Sequence, residues 1–429
     1  MFHMGWFLSY QVQSWNGQWS GSGATEWTKP DLYVDTARSL ERAGFDYMMF
    51  EDGSFIADAY GSSAEHALRT ARLAPKHDPM PLVAAVATQT SKIGLIATVT
   101  TTFYPPFLAA RLFTTLDHIS DGRIGANLVT SHNDRTAQNY GLAEQIEHDE
   151  RYAMADEWVE LVSRLWESWE PDAVRADVGA GVYADHTKVH PIHFEGKYYR
   201  SRGPLNTVPG PQRRPVLCQA GGSRAGREFG ARHADTIIAQ AGSIEEMRAY
   251  RDDVSALAEA AGRDPKSIKV LFIASFQITE TTAEAEAFVA AREAATEANI
   301  DQNLAMLSFA SGTDFSRFDL DAPLPEIRTN AAQSVVAMLL DRHPEGTTLR
   351  ELASKPMTGL SFVGTPDTVA SEMAEAVDGS GIDGFLVQGR VDRRYVAEIA
   401  DGLAPELRRR GLIRDGYSGS TLRENLLAF

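Results

Sequence analysis

Pro215-Val-Leu-Cys-Gln-Ala-Gly-Gly-Ser223-Arg-Ala-Gly-Arg-Glu-Phe-Gly-Ala-Arg-His-Ala-Asp235-Thr-Ile-Ile-Ala-Gln240 decides the fold. An apolar run, Val216 to Ala220, leads straight into a glycine pair and a hydroxyl. A helical segment follows, then a second apolar run, Thr236 to Ala239. Short continuous apolar runs fit parallel strands buried on both faces, and a helix between two of them makes a βαβ unit. Glycine lets the backbone approach a ligand closely, and the first N–H groups of a helix lack partners within it. Gly221-Gly222-Ser223 therefore suits an anion such as phosphate. A plain helix cap at Ser223 is the alternative reading.

Working outward, the same pattern recurs along the chain. Strands are predicted at His3–Ser9, Asp46–Glu51, Lys92–Val99, Arg123–Thr130, Pro215–Ala220, Thr236–Gln240, Ile268–Phe276 and Gly384–Gln388, with helical segments in the gaps. Pro30 to Ala43, for example, spaces Leu32, Ala37, Leu40 and Ala43 for one buried helix face, and Gly44 ends it. Strands alternating with helices in this number predict a single-domain α/β (β/α)8 TIM barrel over residues 1–429; an open doubly wound sheet is the rival. Two gaps, 131–214 after strand 4 and 277–383 after strand 7, are too long for simple crossovers and read as insertions. The polar tail Gly416 to Asn425 packs over a neighbour or frays.

A chain of 429 residues with 43% hydrophobic content can bury a large core. Its net charge of −17 argues against nucleic acid and anionic membrane as partners. The run Arg408-Arg409-Arg410 is too short to reverse that and reads as a solvated helix end. The single cysteine, Cys218, cannot form an intramolecular disulfide, and its place inside an apolar strand predicts a buried, inert thiol. With no apolar run near the length of a membrane span and no signal-peptide pattern, a cytoplasmic protein is expected.

In a barrel of this type the C-terminal ends of the strands form the site. Strand 2 ends in Glu51-Asp52-Gly53, strand 3 in Ala97-Thr98-Val99-Thr100, strand 4 in Asn127-Leu-Val-Thr130, and strand 5 at the glycine–serine turn. A carboxylate, hydroxyls, an amide and backbone N–H groups suit a cofactor that has both a hydrogen-bonding ring and a phosphate. His148 and Tyr152 stand four apart, on one face of a helix, and each can bond a phosphate or sugar. No metal site is expected: His190-Pro-Ile-His193 lies in a loop without a carboxylate cluster. A Gly-x-Ser-x-Gly elbow for a serine nucleophile is absent.

Further motifs occur in order: Gly94-Leu-Ile-Ala-Thr98-Val, Tyr104-Pro-Pro, Ala110-Arg111, Leu116-Asp117-His-Ile-Ser120-Asp-Gly-Arg123 and Asn127-Leu-Val-Thr-Ser131. Asn139-Tyr-Gly, His148-Asp-Glu-Arg-Tyr152, Ala155-Asp-Glu157, Leu165-Trp-Glu-Ser-Trp169, Lys188-Val-His190, Gly203-Pro-Leu205 and Gln219-Ala-Gly-Gly-Ser223 follow. Together with the ending Tyr417-x-Gly-x-Thr-Leu-Arg, this series resembles the bacterial luciferase-like flavin-dependent monooxygenases. Within them, it is most similar to the group of nitrilotriacetate monooxygenase and dibenzothiophene sulfone monooxygenase.

The resemblance implies a two-component enzyme that takes reduced FMN from a separate NAD(P)H:flavin reductase. With dioxygen it oxygenates a small organic substrate, often cleaving a C–S, C–N, C–C or C–halogen bond. Carried over residue by residue, the FMN contacts are Asp52, Thr98, His148, Tyr152 and Ser223, with Asn127 secondary. Ser223 and Tyr152 match positions near the phosphate, and Asp52 and Thr98 match positions beside the ring and ribityl chain. The family tendency is a homodimer or homotetramer.

The chain also departs from the family pattern. Glu51 stands where relatives commonly have proline, Ala126 where they have tryptophan, and the strand-3 end reads Thr98-Val-Thr100-Thr101 where some have a serine–alanine pair; these changes are expected to reshape the pocket near the ring. Trp6, Trp15, Trp19 and Trp27 lie close to strand 1, where they wall a substrate pocket or pack under a loop. Three other readings fit the residues: a deazaflavin-dependent oxidoreductase of the same superfamily, a non-catalytic flavin-binding protein, and a metal-dependent barrel hydrolase. The last requires the His186–His193 loop to reach the barrel mouth.

Overall fold

In the computed structural model, residues 1–12, 15, 23–323, 346–354, 359–389 and 391–429 are described. Eight parallel strands form the barrel: β1 (His3–Ser9), β2 (Tyr47–Glu51), β3 (Gly94–Thr100), β4 (Ile124–Val129), β5 (Val216–Ala220), β6 (Thr236–Ala239), β7 (Lys269–Ile278) and β8 (Gly384–Gln388). Each pairs with the next, and β8 pairs back onto β1 through His3↔Gly384 to Phe7↔Gln388. The ring is closed, so the open doubly wound sheet is excluded.

Helices on the outside bury their apolar faces against the strands. They include α1 (Asp31–Ala43), α2 (Pro79–Ala87), α3 (Pro106–Ile119), α4 (His148–Trp166), α5 (Arg224–His233) and α6 (Ile244–Ala260). Gly44 ends α1 at φ 79° with its N–H on the Glu41 and Leu40 carbonyls, a left-handed position that glycine adopts without strain.

Side chains alternate along each strand, and that alternation separates two cores. Tyr47, Met49, Ile96, Val216, Cys218, Ile238, Leu271 and Leu386 form the cluster inside the barrel, with Phe7 and Ile273 packed against it. Their neighbours Met48, Phe50, Leu95, Ala97, Leu217, Ile237 and Phe272 face the helices. Gly5 is required inside the barrel: a Cβ there would stand 2.4 Å from Leu386 Cδ1.

The base of the barrel is closed by the tail. Leu422 and Leu426, on the short helix Leu422–Leu426, join the interior cluster. Leu422 fills the space a Gly94 side chain would need, at 2.3 Å. Thr421 and Glu424 cap that helix reciprocally, and buried Arg414 bonds Asp46 and the Asn425 carbonyl. The tail thus packs beneath its own barrel and does not fray.

Between β4 and β5 the chain carries α4 and two hairpins, Val174–Asp177 with Val182–Ala184 and Phe194–Glu195 with Arg200–Ser201. Between β7 and β8 it carries the helices Thr282–Ala298, Ile300–Ser311 and Pro366–Ser380, together with an unforeseen strand, Leu360–Gly364, parallel to the outer half of β7. Among the described residues no helix is long and apolar enough to cross a membrane.

Candidate active site

A cavity of about 990 Å³ opens at the C-terminal ends of the strands. Asp52, Thr98, Asn127, His148, Tyr152 and Ser223 all line it. Residues far apart in sequence thus meet at one mouth.

At the β5 end, Ser223 is the N-cap of α5, its Oγ accepting from the Gly226 N–H at 3.1 Å. The capping reading is therefore realised, and the same hydroxyl also reaches the cavity. Tyr152, from the first turns of α4, places its hydroxyl among Ser223, Thr130 and Gln219, and burial raises its pKa. The packing is tight enough that a Cβ on Gly226 would lie 2.8 Å from the Tyr152 oxygen. Tyr250 on α6 holds the turn from behind, donating to the Gly221 carbonyl at 2.6 Å, and Arg227 donates to the Gly222 carbonyl at 2.7 Å. His148 stands edge-on to Tyr152, ring centroids 5.1 Å apart, with its Nδ1 2.8 Å from Asp149.

On the far wall, the Asn127 amide donates to Thr98 Oγ1 at 2.9 Å. Asn127 Oδ1 there, and Gln219 Oε1 on the helix side of β5 against Gly230, are buried without a hydrogen-bond partner among the described residues. Such atoms cost stability unless a ligand satisfies them. Burial raises the Asp52 carboxyl to about 6, the nearby Glu51 and Asp78 adding to the effect while the Gly53 N–H and Lys76 oppose it. His132, on the loop after β4, is held to about 4 by burial and by the Arg151 guanidinium. It is neutral at physiological pH.

Several lining residues were missed from the sequence: Phe7, Phe55, His132, Arg151 and Tyr250. Phe7 was in principle visible, since it occupies an inward position of its strand; Tyr250, within a helix, gave no signal. Two expectations are corrected. Ala126 faces the helix-side core, and Thr101 does not line the cavity, so of the departures noted Glu51, Thr98 and Thr100 shape it. Trp6 does not wall a pocket: it is fully buried beside Phe45 and Tyr395, because its strand turns Phe7 inward instead. Trp27 packs on Tyr10 and His77, and Trp15 bonds the Thr70 carbonyl at 3.2 Å; neither lines the cavity. Trp19 lies outside the described residues.

None of His186, His190 and His193 lines the cavity, and His190 pairs with Glu170 at 2.8 Å. The hydrolase reading thus lacks the contact it requires. Among the described residues no group of histidine, cysteine or acidic side chains could hold a metal ion.

The family model for luciferase-like monooxygenases matches residues 2–384. The chain belongs to this family. It is a monooxygenase by class, as the resemblance implied. Dimethyl-sulfide monooxygenase of Hyphomicrobium sulfonivorans is 37% identical over 96% of this chain and 87% of its own length. Nitrilotriacetate monooxygenase component A of Aminobacter aminovorans is 36% identical over 96% of this chain and 93% of its own. Among solved structures, a riboflavin lyase crystallised with modified FMN and riboflavin superposes with a TM-score of 0.89 at 33% identity, covering 100% of this chain and 96% of that one.

Proposed function

We propose that the chain is the oxygenase of a two-component system. It binds reduced FMN, supplied by a separate NAD(P)H:flavin reductase, in the barrel-mouth cavity and oxygenates a small organic substrate there, with cleavage of a C–S, C–N, C–C or C–halogen bond. The observation that carries this is the convergence of Ser223, Tyr152 and the start of α5 at one corner of a cavity of flavin-binding size, within this family.

The residues present fit the group. A dianionic phosphate at the start of α5 accepts hydrogen bonds from free backbone N–H groups and gains from the helix dipole. Ser223 and Tyr152 add hydroxyl donors, and His148 stands beside them. The unpartnered Asn127 Oδ1 would accept from ring or ribityl donors, and Thr98 and Asp52 complete that wall. When bound, reduced FMN supplies the electrons with which dioxygen gives one oxygen atom to the substrate and the other to water. The protein's work is to orient flavin and substrate and to keep bulk water out. Assembly as a homodimer or homotetramer is part of the same reading.

Anaerobic titration with reduced FMN tests it. Binding in the micromolar range is expected; absence of binding at tens of micromolar, about −6 kcal/mol, would remove the central claim.

A further inference from the structure

Glu51 ends β2 at an inward position, following Tyr47 and Met49 on the same face, so its carboxylate is built into the inner wall of the barrel mouth. Its register partner on β1 is Ser9. Ser9 Oγ donates to Glu51 Oε2 at 2.5 Å, and Lys76 Nζ donates to the same oxygen at 2.6 Å. Both bonds fall on Oε2; among the described residues Oε1 has no hydrogen-bond partner. Lys76 is 7% exposed and does not line the cavity; it holds the carboxylate from behind, and its charge is felt on the same wall, where it opposes the rise in the Asp52 pKa. Asp52, the next residue, lines the same wall. Arg224 and Arg227, which also line the cavity, lie three strands away round the barrel, at the glycine–serine turn.

We propose that Glu51 determines specificity: its free Oε1 receives the protonated amino group of the substrate, so the enzyme acts on organic amines in preference to carboxylates or neutral isosteres. A carboxylate held in one orientation by two bonds on one oxygen loses little freedom when the other accepts an ammonium N–H, and charge-assisted bonds are the stronger kind. The proposal rests on the oxygenase reading, since it names the substrate class of the same cavity.

The test measures binding of three matched probes, benzylamine, benzyl alcohol and benzoate, by calorimetry at pH 7, with and without FMN, to the wild type and to Glu51→Gln. Glutamine keeps the shape, and its carboxamide oxygen can still accept from Ser9 and Lys76. Benzylammonium should bind the wild type at least about tenfold tighter than the other two, and Glu51→Gln should abolish that preference. Ser9→Ala, which keeps the charge but loosens it, should reduce the preference without abolishing it. Equal or tighter binding of benzoate, an unchanged preference in Glu51→Gln, or no binding by any probe at millimolar concentration would overturn the proposal. FMN affinity is read separately by fluorescence quenching. A protein that binds no FMN defeats the oxygenase reading, while the probe comparison on flavin-free protein still decides the role of Glu51.

Discussion

Replacing Ser223 by alanine separates the helix cap its hydroxyl makes from the phosphate contact proposed for it. In the structure Oγ caps α5 through the Gly226 N–H and lies in the hydrogen-bonding set of Tyr152. Loss of a serine N-cap costs about 1 kcal/mol of stability. Loss of a hydrogen bond to a charged phosphate costs about 1.5–3 kcal/mol of binding, or roughly ten- to a hundredfold in affinity. The cap term appears in a denaturant melt of the free protein, and the phosphate term appears only with ligand. Anaerobic titrations of reduced FMN and reduced riboflavin therefore form the assay. FMN should bind Ser223→Ala about ten- to a hundredfold more weakly; riboflavin, which has no phosphate, should be almost unaffected. Equal losses for both would place Ser223 away from the phosphate. No loss for either would leave it only a helix cap.

Further outcomes follow from the same geometry. Asp52 has a folded pKa raised from 3.8 to about 6, so the native state holds its proton more tightly and stability falls as pH rises between those values. Asp52→Asn should therefore gain about 1–3 kcal/mol at pH 8 and almost nothing at pH 4, by urea melts; a gain independent of pH would contradict this. Cys218 is fully buried and its thiol is pushed far above the ordinary range, chiefly by burial, so a thiol reagent should titrate nothing in native protein and one group in denaturant. Prompt native labelling would refute that. Leu422→Ala should cost about 2–5 kcal/mol by opening the barrel base, and a surface-like loss would show that the tail does not plug it. Light scattering should give at least twice the 47.0 kDa chain mass, and a monomer would contradict the assembly.

The strands were legible because each is a short apolar run bounded by turns or polar residues, and β1 and β8 match their expected bounds residue for residue. The mouth was legible for the same reason: once the strands are placed, Asp52, Thr98, Asn127 and Ser223 fall at their ends. What the runs conceal is which face points inward. With both faces buried, polarity does not mark the alternation, so the sequence leaves Trp6 open between pocket wall and packing and places Ala126 at the pocket, although Phe7 and Asn127 are their inward neighbours. The strand Leu360–Gly364 carries a serine and ends in glycine, too mixed to stand out. The tail read as polar because its two plugging leucines are separated by Arg423-Glu424-Asn425, one helical turn apart.

The most direct measurement is a crystal structure of the protein with FMN bound. The phosphate is predicted at the start of α5, bonded by Ser223 and Tyr152, with the ring against Thr98 and Asn127 at the barrel mouth. A flavin bound elsewhere, or bound in the cavity with its phosphate away from Ser223, would contradict the account.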